Sequence, residues 1–79
     1  TLIGVSASAA IDIRLPSAGD YVNGQYFMIK DEAGNANIYN ITIKSSGSQT
    51  IDGQSAIVLE SPFSSVNLYS NGVDKFFIY

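Results

Sequence analysis

The chain has 79 residues, seven acidic and four basic, with no cysteine and no histidine, for a net charge of −3. That length makes residues 1–79 a single domain that buries only about 60–65% of its unfolded surface, and the missing residue types remove disulfides, the usual zinc sites and the common nucleophile–base pairs. The acidic balance, with Arg14, Lys30, Lys44 and Lys75 scattered along the chain, argues against nucleic acid as a partner, and no apolar run approaches the ~20 residues of a membrane-spanning helix.

The elements read as strand after strand. Ile11, Ile13 and Leu15 alternate with Asp12 and Arg14, which predicts a half-buried strand that Pro16 ends. Ser17 to Asp20 and Asn23-Gly24 carry turn chemistry. Gln25 to Lys30 holds Tyr26, Phe27, Met28 and Ile29 in succession, which predicts a strand covered on both faces. Asp31 to Ala36 reads as a polar, hairpin-like loop. From Ile38 to Lys44 a strand is expected with Ile41 and Ile43 inward and Thr42 and Lys44 outward.

Ile51-Asp52-Gly53 predicts a short strand ending in a turn, and Ala56 to Glu60 another strand that Pro62 breaks. Val66 and Leu68 alternate with Ser65, Asn67 and Tyr69; Asn71-Gly72 then signals a two-residue hairpin to a final strand, Asp74 to Tyr79. No stretch holds a helical period. The expectation is an all-β domain of about six to eight short strands, a small antiparallel sandwich or open barrel.

Charged residues make up 14% of the chain, against roughly 25% in an ordinary soluble domain. The final Phe76-Phe77-Ile78-Tyr79 presents large side chains to both faces of its strand. Cover from other copies of the same chain is the expected remedy, since a domain this small has few other staples. The start at Thr1 and the apolar end read as an excised C-terminal fragment.

Little in the residues points to a reaction. Asp12, Asp20, Asp31, Glu32, Asp52, Glu60 and Asp74 are read as turn and surface carboxylates rather than as a glycosidase pair, and a fold this small leaves little room for an enclosed pocket. The oxygen-rich Asp31 to Asn35 run lacks the ligand spacing of a calcium loop. Asn40-Ile41-Thr42 matches a glycosylation triplet but falls within a predicted strand. No metal, cofactor or catalytic residue is expected. The tyrosines are numerous, and Tyr39 beside Asn40 and Tyr69 beside Ser70 and Asn71 are candidate sugar contacts, with Asn71 as a polar partner. The favoured reading of these rings is that they pack a core or an interface with the hydroxyl in water. Phe63 after Pro62 reads as an anchor.

The order Leu15-Pro16, Phe27 to Ala36, Asn40 to Ile43, Ile51 to Gly53, Val66 to Gly72 and Phe76 to Tyr79 resembles C-terminal modules of tailed-bacteriophage tail fibres and tailspikes, over about residues 11 to 79. The resemblance implies a homotrimer, intertwined or side by side, at the distal end of a virion fibre or spike assembled in the host cytoplasm. It implies a non-enzymatic trimerisation and stabilising cap, with Met28, Ile57, Leu59, Phe76 and Ile78 as candidate interface residues. Parent proteins of this kind sometimes carry a separate polysaccharide depolymerase domain. The alternative is a carbohydrate-recognition module for capsule or O-antigen, although Phe76 stands where such modules often place Trp. A monomeric immunoglobulin-like adhesin domain is a third reading, without the Cys and Trp that mark it.

Overall fold

The computed structural model describes residues 2–79. Eight strands form: β1 (Leu2–Val5), β2 (Ile11–Arg14), β3 (Tyr26–Asp31), β4 (Ile41–Lys44), β5 (Thr50–Ile51), β6 (Ala56–Leu59), β7 (Ser65–Ser70) and β8 (Lys75–Ile78). A single 3₁₀ turn, Ala18–Asp20, precedes β3, and Ser17 caps it with its hydroxyl. The strands divide into a five-stranded sheet, ordered β1-β3-β7-β8-β5, and a three-stranded sheet, ordered β2-β4-β6.

The all-β class is as expected, but the sheets are mixed rather than antiparallel, and they do not close into a barrel. β1 runs parallel to β3, β2 to β4 and β5 to β8. The reason lies in the path of the chain. From β1 to β6 every connection carries it from one sheet to the other, and only β7 and β8 are neighbours both in sequence and in space. A connection that changes sheet imposes no antiparallel pairing on the strands it joins. Asp31 to Ala36 is therefore a loop between sheets and not a hairpin. The Asn71-Gly72 signal marks a true hairpin, but its loop runs from Asn71 to Asp74, longer than a two-residue turn. Asn71 Oδ1 accepts from the N–H groups of Val73, Asp74 and Lys75 at 2.9 to 3.0 Å, which closes this larger loop.

The inner faces of both sheets share one apolar core. Phe27, Ile29, Val66, Leu68, Phe76 and Ile51 enter it from the large sheet, and Ile41, Ile43 and Leu59 from the small one. Strand alternation places them there: in β4, Ile41 and Ile43 are buried and Thr42 and Lys44 half-buried, as predicted. β3 departs from the expected two-sided burial. Phe27, Ile29 and Asp31 are buried, while Tyr26, Met28 and Lys30 lie on the wetter side. Phe76 is fully buried within its own chain, where Tyr21 and Phe27 meet it edge-on at 5.8 and 6.0 Å. The final strand thus finds one of its two covers without a second copy.

Asp31 is the buried charge of the fold. Its carboxylate accepts from the N–H groups of Gly34 at 3.1 Å, Ala36 at 3.0 Å and Phe63 at 3.0 Å. Burial pushes the carboxyl up, and the N–H groups of Ala36, Phe63, Gly34 and Ala33 outweigh it, holding the pKa below the ordinary 3.8. One side chain therefore ties the end of β3 to two loops. Phe63 sits at φ 59°, a conformation that disfavours a side chain. Gly34, at φ 77°, lies under its ring, and a Cβ there would stand 2.5 Å from Phe63 Cζ. Phe63 is held through its backbone N–H and its ring lies over Gly34, but 57% of the residue stays exposed, so it is not a buried anchor.

Candidate functional site

The outer face of the five-stranded sheet carries the side chains that alternate with the core set. Pairing register lines them up across strands. Tyr26 of β3 is opposite Tyr69 of β7, and Tyr69 is opposite Phe77 of β8. Met28 is opposite Asn67, whose carbonyl accepts from Tyr79 N–H at 3.1 Å. Opposed and diagonal side chains in a sheet come within reach of each other: the opposed rings of Tyr69 and Phe77 lie 5.3 Å apart, and the diagonal pair Tyr69 and Tyr79 5.8 Å.

The result is an open groove of about 490 Å³ lined by Gly24, Tyr26, Tyr69 and Tyr79. Tyr26 and Tyr79 keep 64% and 58% of their surface exposed. With Tyr69 they form one contiguous aromatic patch on the sheet. Gly24 borders the groove at φ 83°, a conformation that favours glycine. The volume falls in the usual ligand-site range of roughly 300–1,000 Å³. A small fold has little room for an enclosed pocket, and this one uses an open face instead. Lys30 and Lys75 share the parity of this face, one at each end of the aromatic rows. Lys30 Nζ also donates to the Phe63 carbonyl and stands 6.0 Å from that ring's centroid.

The sequence-derived candidates are distributed unevenly around this groove. Tyr69 lies at its centre. Tyr39 lies elsewhere, packed against the apolar core. Asn71 is half-buried in the β7–β8 loop, its amide donating to Asp74 at 3.1 Å and its Oδ1 occupied by backbone N–H groups, so it is a turn residue. Among the interface candidates, Phe76 and Leu59 are buried in the chain's own core, Phe76 fully. Met28 and Ile57 are half-buried and Ile78 is 40% exposed. Tyr26, Phe77 and Tyr79 were not singled out by sequence for this site. Their local pattern is the same as that of a core strand, and only the cross-strand register joins them.

Among the described residues no group of three or more acidic side chains could hold a metal ion. The outer face of the small sheet is different in kind, with Asp12, Arg14, Thr42 and Lys44 exposed or half-buried and an ion pair of 2.9 Å between Lys44 and Asp12. No protein-family model matches the chain, and neither a curated protein nor a solved structure matches it.

Proposed function

We propose that this domain is a non-enzymatic attachment module that binds bacterial surface polysaccharide on the outer face of its five-stranded sheet. The observation that carries the reading is the open groove of Tyr26, Tyr69 and Tyr79, set on paired strands and left uncovered by its own chain. Tyrosine rings offer flat apolar surface to the C–H faces of sugars, while their hydroxyls and the neighbouring Asn67 supply polar contacts. Long polysaccharides suit an open groove, because the chain enters and leaves at its ends. On this reading the domain sits at the distal end of a tailed-phage fibre or spike, assembled in the host cytoplasm.

The test is a glycan array followed by titration calorimetry on the hit. Tyr69→Ala should weaken binding about tenfold or more, equivalent to roughly 1.4 kcal/mol. Tyr39→Ala should leave affinity unchanged if the protein remains folded. Absence of any glycan ligand for the folded wild-type chain, or equal loss from both variants, would sink the proposal.

A second reading has the same face join copies into a homotrimeric cap. It is favoured by Leu2, 62% exposed and directly opposite Met28, which extends the apolar rows to the edge of the sheet. Sedimentation equilibrium separates the two. A trimer that Phe77→Ser dissociates supports the cap, and a monomer at micromolar concentration excludes it.

A further inference from the structure

Two Asn-Gly pairs occur in the chain, Asn23-Gly24 and Asn71-Gly72. Glycine offers no side chain to hinder attack of its backbone nitrogen on the preceding Asn side chain. Both pairs would thus react alike in an unfolded chain, and the fold treats them differently. Asn71 is half-buried and gives every polar atom of its side chain a partner. Oδ1 accepts from Val73, Asp74 and Lys75, Nδ2 donates to Asp74, and the following Gly72 N–H donates to Ser70 Oγ at 2.9 Å. Asn23 is exposed. Its turn is closed by a different side chain, Gln25, whose Oε1 accepts from Val22 N–H at 3.2 Å. Only the next nitrogen is held, Gly24 N–H donating to the Ser70 carbonyl at 2.8 Å.

We infer that Asn23 is a site of spontaneous modification by deamidation, and that the fold shields Asn71 from the same reaction. The Gly24 nitrogen loses its proton to water and attacks Asn23 Cγ. A C–N bond forms, ammonia leaves, and a cyclic imide results. Water then opens either carbonyl of the ring, giving Asp or isoaspartate at position 23. No oxidant or reductant is involved. At Asn23 one backbone bond, from Gly24 N–H to the carbonyl of the buried Ser70, must open first. At Asn71 the side-chain bonds must be released as well, and each adds to the free energy of local opening.

The site has a structural consequence. A Cβ on Gly72 would lie 2.8 Å from Asn23 N, so the two turns are in close contact. Isoaspartate adds a methylene to the backbone at that contact, and either product places a carboxylate beside the groove-lining Gly24. The inference stands on the two turns alone and holds whatever the groove binds.

The experiment is incubation of the purified chain at mildly alkaline pH, folded and in denaturant, with peptide mapping by mass spectrometry and enzymatic methyl labelling of isoaspartate. In denaturant the two sites should convert at similar rates. In the folded chain Asn71 should lag Asn23 by roughly tenfold or more. Asn23→Ser should abolish the fast mass gain. Equal rates in the folded chain, faster conversion at Asn71, or a fast mass gain that survives in Asn23→Ser would each overturn the inference.

Discussion

The two sheets bury the same kind of face and show the solvent opposite kinds. Inside, Ile41 and Ile43 of the small sheet and Ile29 and Leu68 of the large one are all fully buried. Outside, the small sheet presents Asp12, Arg14 and Lys44 with Val58 as its one exposed large apolar side chain, while the large sheet presents Tyr26, Tyr69, Phe77 and Tyr79 in a row with Lys30 and Lys75 at the ends. Inner faces are constrained by a shared core that either set of strands must fill. Outer faces are free of that constraint, so their composition reports what the surface is for. The small sheet has an ordinary solvated surface. The large sheet carries a row of aromatic rings, with Tyr26 and Tyr79 exposed and Tyr69 and Phe77 half-buried.

The largest effect should come from breaking what the sheets share. Phe76→Ala removes a fully buried ring that meets both Tyr21 and Phe27, and should cost about 3–5 kcal/mol, a large part of a small domain's stability. Denaturant unfolding followed separately through tyrosine fluorescence and backbone circular dichroism should still give one coincident transition. Two separated transitions would show that the sheets fold independently.

The next effect is acid sensitivity. The Asp31 carboxyl is held below 3.8 in the folded chain. Its contribution is therefore fully present above the unfolded carboxylate pKa and is lost as pH falls through the lower folded value. Stability should be flat from neutral pH down to that range and then drop. Asp31→Asn should be less stable at neutral pH, because an amide accepts through one oxygen where the carboxylate accepts through two, and its stability should fall less in acid. A mutant whose acid unfolding profile parallels that of wild type would remove Asp31 from the account.

The smallest effects belong to the outer faces and sharpen the contrast between them. Tyr69→Ala should cost about 0.5–1.5 kcal/mol through its lost aromatic partners while weakening ligand binding about tenfold or more. Lys44→Ala breaks a pair whose side chains are 39% and 60% exposed, and should cost about 0.2–1 kcal/mol, less in high salt, with no effect on ligand. A binding loss from Lys44→Ala as large as that from Tyr69→Ala would move the site to the other sheet.

Sequence was legible where one strand's own alternation decides the outcome. Ile41 and Ile43 face inward because neighbours two apart share a face, and no partner is needed to see it. It was misleading at Tyr26 to Ile29, where four large side chains in a row suggested burial on both faces. Tyr26 lines the groove and Met28 lies half-buried on the same outer face. β1 went unread: Leu2 to Val5 is short, lacks polar alternation, and becomes a strand through its pairing with β3. At the candidate site, Tyr69 was picked out together with Tyr39 and Asn71 because all three sit near polar residues in sequence. In the fold Tyr39 packs on the core and Asn71 closes a loop, whereas Tyr26 and Tyr79 arrive from other strands.

From its residues alone, this chain was bound to be a small all-β domain with no disulfide, because β-branched and aromatic residues recur at strand spacing and cysteine is absent. Which strands share a sheet, and hence which tyrosines stand together, was settled only in three dimensions. The physical reason is that alternation is a property of neighbours two residues apart, while register depends on where the chain crosses from one sheet to the other, and no local pattern records those crossings.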